Sequence, residues 1–158
     1  MKTLIIYDSF FGNTEKIARA IGEGLSTETL IMRVNEASTE NLNGLKMLIV
    51  GSPTRAFKPS PATTAFLKKI PKNALKGVRV AAFDTRIGPD DINSKFLGFL
   101  VGHLGYAAKP IANKLTQKGG ELALPAEGFL VEDSEGPLKS GEIERAGNWA
   151  AKLIEDKR

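Results

Sequence analysis

Ser9, Asn13 and Thr14, with Gly12 beside them, gather two hydroxyls, a carboxamide and a glycine in one stretch, Asp8-Ser9-Phe10-Phe11-Gly12-Asn13-Thr14-Glu15. The apolar run Leu4-Ile5-Ile6-Tyr7 precedes it and a helical pattern follows, so the stretch reads as a strand-to-helix loop. The first N–H groups of a helix are unpaired and carry the positive end of its dipole, which favours a small anion there. No lysine or arginine lies inside the loop, so uncharged donors have to hold the charge. That donor set suits a phosphate monoester and not a nucleoside triphosphate. An ordinary turn capped by Asn13 or Thr14 is the alternative reading.

Other chemistries find less support. A P-loop needs G-x-x-x-x-G-K-[ST] and the dinucleotide fingerprint needs G-x-G-x-x-G; neither spacing occurs in the loop. The absence of cysteine removes thiol nucleophiles, thiolate metal sites and disulfides. His103 is the single histidine, so no imidazole pair exists to hold a metal, and its apolar neighbours suit a structural role. Asp90-Asp91 and Glu132-Asp133 lack a second acidic cluster and read as solvated loops. Basic residues outnumber acidic ones 22 to 18. The basic stretch has no interleaved aromatics, which argues against nucleic acid as a partner.

The elements that must position the loop follow from apolar patterning. Leu4–Tyr7, Met47–Val50, Val80–Phe83 and Phe129–Val131 are short unalternating runs, as expected of strands covered on both faces. Thr29–Val34 mixes polar and apolar residues and suits an edge strand. Ile17, Ile21 and Leu25 recur on one helical face, and Ile143, Ala146, Ala150, Leu153 and Ile154 form a second stripe. Pro110 is tolerated only in a first turn, which starts a helix near Tyr106. Strands alternating with helices imply right-handed crossovers and a parallel sheet with helices on both sides. At 158 residues and 42% hydrophobic content, the expectation is one domain over 1–158. The longest apolar stretch, Phe96 to Leu104, is too short for the roughly 18 residues of a membrane helix. No membrane span and a cytoplasmic setting are expected.

Ser9-x-Phe11-Gly12-Asn13-Thr14 resembles the FMN phosphate loop of flavodoxins, usually Ser/Thr-x-Thr-Gly-Asn-Thr, with Phe11 replacing a hydroxyl donor. Gly51-Ser52-Pro53-Thr54 also resembles the loop after the third strand of that family. The likeness covers nearly the whole chain. It implies an α/β flavodoxin-like fold, a doubly wound five-stranded parallel sheet in strand order 2-1-3-4-5. It implies FMN as cofactor, its phosphate held by Ser9, Phe11, Gly12, Asn13 and Thr14, with Phe10 contributing backbone. Pro53, Thr54, Arg55 and Phe57 would line one side of the isoalloxazine, and Asp84, Thr85, Arg86 and Gly88 the other. The Trp and Tyr that commonly sandwich the ring are absent from these loops, Trp149 lying in the last helix and Tyr106 beyond the third loop. Flavodoxins also flip a peptide beside the flavin N5, usually at a glycine, and none occurs between Pro53 and Pro59.

Charge departs from the acidic habit of flavodoxins. From Arg55 to Arg86 the chain carries eight basic residues and one acidic, Asp84. Arg55 and Arg86 fall in the loops expected to frame the flavin, where a guanidinium would favour an anionic reduced ring and raise its potential. The partner expected is a redox protein, or a small anionic or quinone-like substrate. Segment 87–104 reads as a lid with Phe96 or Phe99, a self-association patch compatible with a homodimer, or plain core. Two activities fit: an FMN-binding electron carrier, and an FMN-dependent oxidoreductase acting on a quinone or porphyrin-like substrate. A flavin-free interaction domain is the third alternative.

Overall fold

The computed structural model describes residues 2–25, 28–88 and 105–155. Its elements run β1 (Thr3–Tyr7), α1 (Asn13–Gly24), β2 (Thr29–Arg33), β3 (Met47–Pro53), α2 (Pro61–Lys69) and β4 (Arg79–Ile87). They continue with α3 (Ala108–Gln117), β5 (Glu121–Leu122), β6 (Glu127–Val131) and α4 (Glu142–Glu155). All strand pairs are parallel, in the order β2-β1-β3-β4-β5, with β6 also on β4. The fifth position of the expected sheet is therefore filled twice. β5 pairs with Arg79 and Val80, and β6 with Phe83 to Ile87. Pro125, between the two pieces, has no N–H to continue a ladder.

Because side chains alternate across a strand, the sheet divides the core into two leaves. Leu4, Ile6, Leu48, Val50, Val80 and Ala82 pack with Phe66 and Leu67 of α2 and Ile111 and Leu115 of α3. Ile5, Tyr7, Ile49, Ala81 and Phe83 pack with Ile17 and Ile21 of α1 and Ala146 and Trp149 of α4. The second leaf centres on Phe83, Phe129 and Trp149, whose rings meet edge to face at 6.1–6.4 Å between centroids. Gly51 makes room for the Phe83 ring, into which a Cβ would collide. Trp149 is thus a core residue, under the sheet.

One expected buried position is corrected. Ile143 is 47% exposed, because Glu142 takes the inward place in the first turn of α4. Glu142 accepts the Leu130 N–H at 2.7 Å and two Arg145 hydrogen bonds at 2.9 and 2.7 Å. The Arg145 hydrogen bonds hold its carboxyl below the ordinary value of 4.5, against burial and with help from the Leu130 N–H. A depressed folded value means that the ion contributes stability above pH 4.5 and loses it as pH falls through the folded value. Glu142→Gln keeps the shape and an acceptor for Leu130. It should cost about 1 kcal/mol at pH 7, a figure reduced because Arg145 is part-exposed, and progressively less toward pH 3. Urea unfolding of both proteins across that range measures the convergence.

Candidate functional site

Ligand sites in open parallel sheets lie beyond the carboxyl ends of the strands, where the order reverses. Here β1 and β3 are neighbours with α1 and α2 on opposite faces, and a cavity of about 400 Å³ opens above them. That lies within the range that takes a cofactor-sized ligand.

The loop after β1 enters α1 through Gly12, whose φ of 93° is left-handed and whose Cβ position faces open space. Neither Asn13 nor Thr14 caps the helix. Ser9 Oγ does so instead, accepting the Gly12 N–H at 3.1 Å and the Glu15 N–H at 3.4 Å. Asn13 donates through Nδ2 to the Glu135 carbonyl at 3.1 Å. Thr14 and Thr85 hydroxyls, both buried, pair at 2.8 Å. Among the described residues, the backbone N–H groups of Phe10, Phe11, Asn13 and Thr14 have no protein acceptor. Four unpaired N–H groups and two hydroxyls with a hydrogen to spare form an uncharged anion cradle.

A cation supports this loop from outside. Arg33, at the end of edge strand β2, donates to the Ser9 carbonyl at 3.1 Å and to Glu15 at 3.1 Å. Glu15 also holds Arg19 at 2.9 Å. The Arg19 hydrogen bond keeps the Glu15 carboxyl below its ordinary range, so it stays ionised as the anchor. Arg33 does not line the cavity. Its part was invisible in the sequence, where it lies in the next strand.

The wall after β3 is a tight hairpin. Arg55 and Lys58 exchange N–H···O=C bonds of 2.9 Å in both directions around Ala56 (φ 48°) and Phe57 (φ 69°). Two consecutive left-handed L-residues are unusual and cost about 1 kcal/mol each or more. Phe57 occupies the turn tip and does not line the cavity. The Arg55 guanidinium crosses to the Phe10 ring, 4.9 Å from its centroid, and joins the first two loops at the mouth. Phe10 and Phe11 are each 50% exposed there.

The third wall ends β4. Asp84 is fully buried and is not among the residues that line the cavity. Arg86 donates to both its carboxylate oxygens, at 2.7 and 2.8 Å, and the Ala108 N–H donates at 2.8 Å. Burial pushes the Asp84 carboxyl up, while Arg86 and the Ala108 N–H pull it down. The Arg86 guanidinium also lies 3.8 Å from the Tyr106 ring centroid. Its charge is therefore matched by Asp84, although Arg86 is among the residues that line the cavity. Gly88 does not line the cavity, and 89–104, including Asp90, Asp91, Asn93, Phe96, Phe99 and His103, lies outside the described residues.

The cavity thus draws on Ser9, Phe10, Phe11, Asn13 and Thr14 from the first loop, Pro53, Thr54 and Arg55 from the second, and Thr85 and Arg86 from the third. Gly12, Phe57, Asp84 and Gly88 stand behind or beside it. Sequence reasoning missed Ala56, Ile87, Val131, Ser134 and Glu135. The last three come from the end of β6 and the loop after it, which among the described residues is hydrogen-bonded to the first loop through Asn13. The turn-prone Gly136-Pro137 was the one signal of that loop. No group of three or more His, Cys, Asp or Glu residues that could hold a metal ion occurs among the described residues. No described helix is long and apolar enough to cross a membrane.

A family model described as a flavodoxin domain matches residues 4–125. An uncharacterized protein of Methanocaldococcus jannaschii is 33% identical over 91 residues, 51% of this chain and 23% of that protein. A flavodoxin of Aquifex aeolicus is 42% identical over 57 residues, 34% of this chain and 31% of that protein. The chain therefore matches less than a third of either relative's length. The structure of oxidised flavodoxin 2 from Bacillus cereus superposes with a TM-score of 0.77 at 23% identity, covering 98% of this chain and 99% of that one. At that identity the likeness is one of fold.

Proposed function

The chain belongs to the flavodoxin domain family, and from that premise we propose that it binds FMN and carries electrons to and from a partner. The observation that supports this reading is the cradle of four unpaired N–H groups with Ser9 and Thr14 at its sides, opening into the cavity. Uncharged convergent donors at a helix N-terminus match the doubly charged end of a flavin mononucleotide. The residues present fit the cofactor's two ends. Ser9, Phe10, Phe11, Gly12, Asn13 and Thr14 would hold the phosphate, while Pro53, Thr54, Arg55 and Thr85 would border the ring. FMN, when bound, supplies the one- and two-electron chemistry.

Among the described residues, Arg55 is the cavity cation without a carboxylate partner. Arg86 is matched by Asp84. The rise in potential expected of two arginines therefore reduces to the effect of Arg55 alone. Among the described residues, Phe10 and Phe11 at the mouth are the aromatic faces within reach of a ring; Trp149 is in the core and Tyr106 covers Arg86.

Titration with FMN and with riboflavin tests the reading. FMN should bind at least about tenfold more tightly than riboflavin, because only FMN fills the anion cradle. Absence of FMN binding retires it in favour of a flavin-free scaffold. With FMN bound, fast turnover of a pyridine nucleotide and a quinone would shift the assignment to an oxidoreductase. Stepwise single-electron reduction without such turnover supports a carrier.

A further inference from the structure

The two helical layers differ in charge. Helices α2 and α3 cover one face of the sheet and share one core leaf. Segments 61–78 and 105–120, which form the described part of that layer, contain Lys68, Lys69, Lys72, Lys76, Lys109, Lys114 and Lys118 and no carboxylate. The opposite layer, α1 and α4, carries Glu15, Glu23, Glu142, Glu144 and Glu155 against Lys16, Arg19, Arg145 and Lys152. That layer mixes both signs, and among the described residues Glu15, Arg19, Glu142 and Arg145 are in ion pairs, Glu15 also with Arg33 and Arg145 also with Glu127. Among the described residues none of the seven lysines has an ion pair. Five of them are exposed and Lys114 and Lys118 are half-buried. Basic residues continue along the chain through Lys58, three residues before α2, to Arg55, which lines the cavity.

We propose that the α2/α3 face is a docking surface for an acidic electron-transfer protein, guiding it toward the Arg55 edge of the cavity. This rests on the electron-carrier reading. Unpaired like charges on one layer repel each other and add nothing to folding, whereas they speed encounter with an opposite surface by ten- to a thousandfold. Three features favour a protein over other polyanions. The cations are lysines, point charges without the bidentate fork that grips phosphate. No exposed aromatic lies on α2 or α3, where single-stranded nucleic acid would stack; Phe66 is buried. Among the described residues the exposed large hydrophobics, Phe10, Phe11, Leu30, Leu122 and Ile143, all lie off these helices, so α2 and α3 themselves carry no wedge for a lipid surface.

The probe is an acidic plant-type [2Fe–2S] ferredoxin, used with the FMN-loaded protein. Amide shifts on titration with oxidised ferredoxin should fall on α2, α3 and the 55–58 turn, and weaken as salt rises from about 20 mM to about 500 mM. The rate of flavin reduction by reduced ferredoxin should fall about tenfold or more in the triple variant Lys68→Glu, Lys72→Glu, Lys118→Glu. The corresponding Lys→Gln triple should fall by less, and Lys16→Glu with Lys152→Glu, on the other layer, should leave the rate unchanged. Urea midpoints confirm that each variant is folded. Shifts elsewhere, or a rate indifferent to charge reversal and salt, overturn the proposal. So does tighter binding of this face to single-stranded DNA or phosphatidylserine vesicles. Salt-sensitive shifts on α2 and α3 without electron transfer leave the docking surface standing and retire the carrier reading.

Discussion

Thr14→Val is expected to lower FMN affinity about ten- to a hundredfold while leaving riboflavin affinity unchanged, the difference being one hydrogen bond to a charged phosphate. Thr14 is 1% exposed, and its Oγ1 stands 2.8 Å from the Thr85 hydroxyl. Valine fills the same volume, so what is removed is the hydroxyl and not the packing. The Thr85 hydroxyl then loses its partner in a buried place, which lowers stability by about 1–3 kcal/mol as a separate effect. Quenching of flavin fluorescence measures the two affinities. Equal losses for both flavins would show that the Thr14 hydroxyl serves the ring or the fold and not the phosphate.

Arg86→Met carries the largest expected cost to folding, about 3–5 kcal/mol, because it strands a carboxylate with no access to water. Asp84 then keeps only the Ala108 N–H. That bond ties the start of α3 to β4, beside a second tie from the Ala107 N–H to Thr54 Oγ1 at 3.1 Å. Without the guanidinium the Asp84 carboxyl rises further above its ordinary range, so the folded state takes up a proton more readily than the unfolded one. The deficit is therefore full above the raised folded value and shrinks as pH falls through it. Urea unfolding against pH reads this slope. Adding Asp84→Asn to Arg86→Met should recover much of the loss and abolish the slope. A single variant as stable as the parent at pH 7 would show that Asp84 is already protonated in the native protein.

What could be read from the chain depended on how local the determinant was. The β1 loop was legible because strand, glycine, donors and helix follow one another within twelve residues, Thr3 to Thr14. The parallel sheet was legible because strands alternate with helices, whereas the strand order came from the resemblance to flavodoxins. Capping was not, since Ser9 reaches forward across Gly12 to Glu15 in a geometry that pattern alone does not specify. Nor was the fate of Arg86, which looked like a cavity cation until Asp84, two residues back on the same strand face, claimed it. The far wall at Val131, Ser134 and Glu135 comes from chain more than a hundred residues away. Its contact with Asn13 is a backbone carbonyl that any residue could supply. Ile143 fits the apolar stripe of α4 but sits in its first turn, where Glu142 satisfies Leu130 and Arg145 instead.

The mirror-handed torsions of Ala56 and Phe57 bear on how readily the wall after β3 can change shape. A glycine at either place would rest there at ease; an alanine and a phenylalanine are held against their preference, like a bent leaf spring. Reversal of the peptide between them would relax Phe57 alone, because it leaves the Ala56 φ positive and carries its ψ into a region that glycine almost alone adopts. The missing glycine between Pro53 and Pro59 thus raises the cost of the reversed arrangement and holds the wall after β3 in its present one.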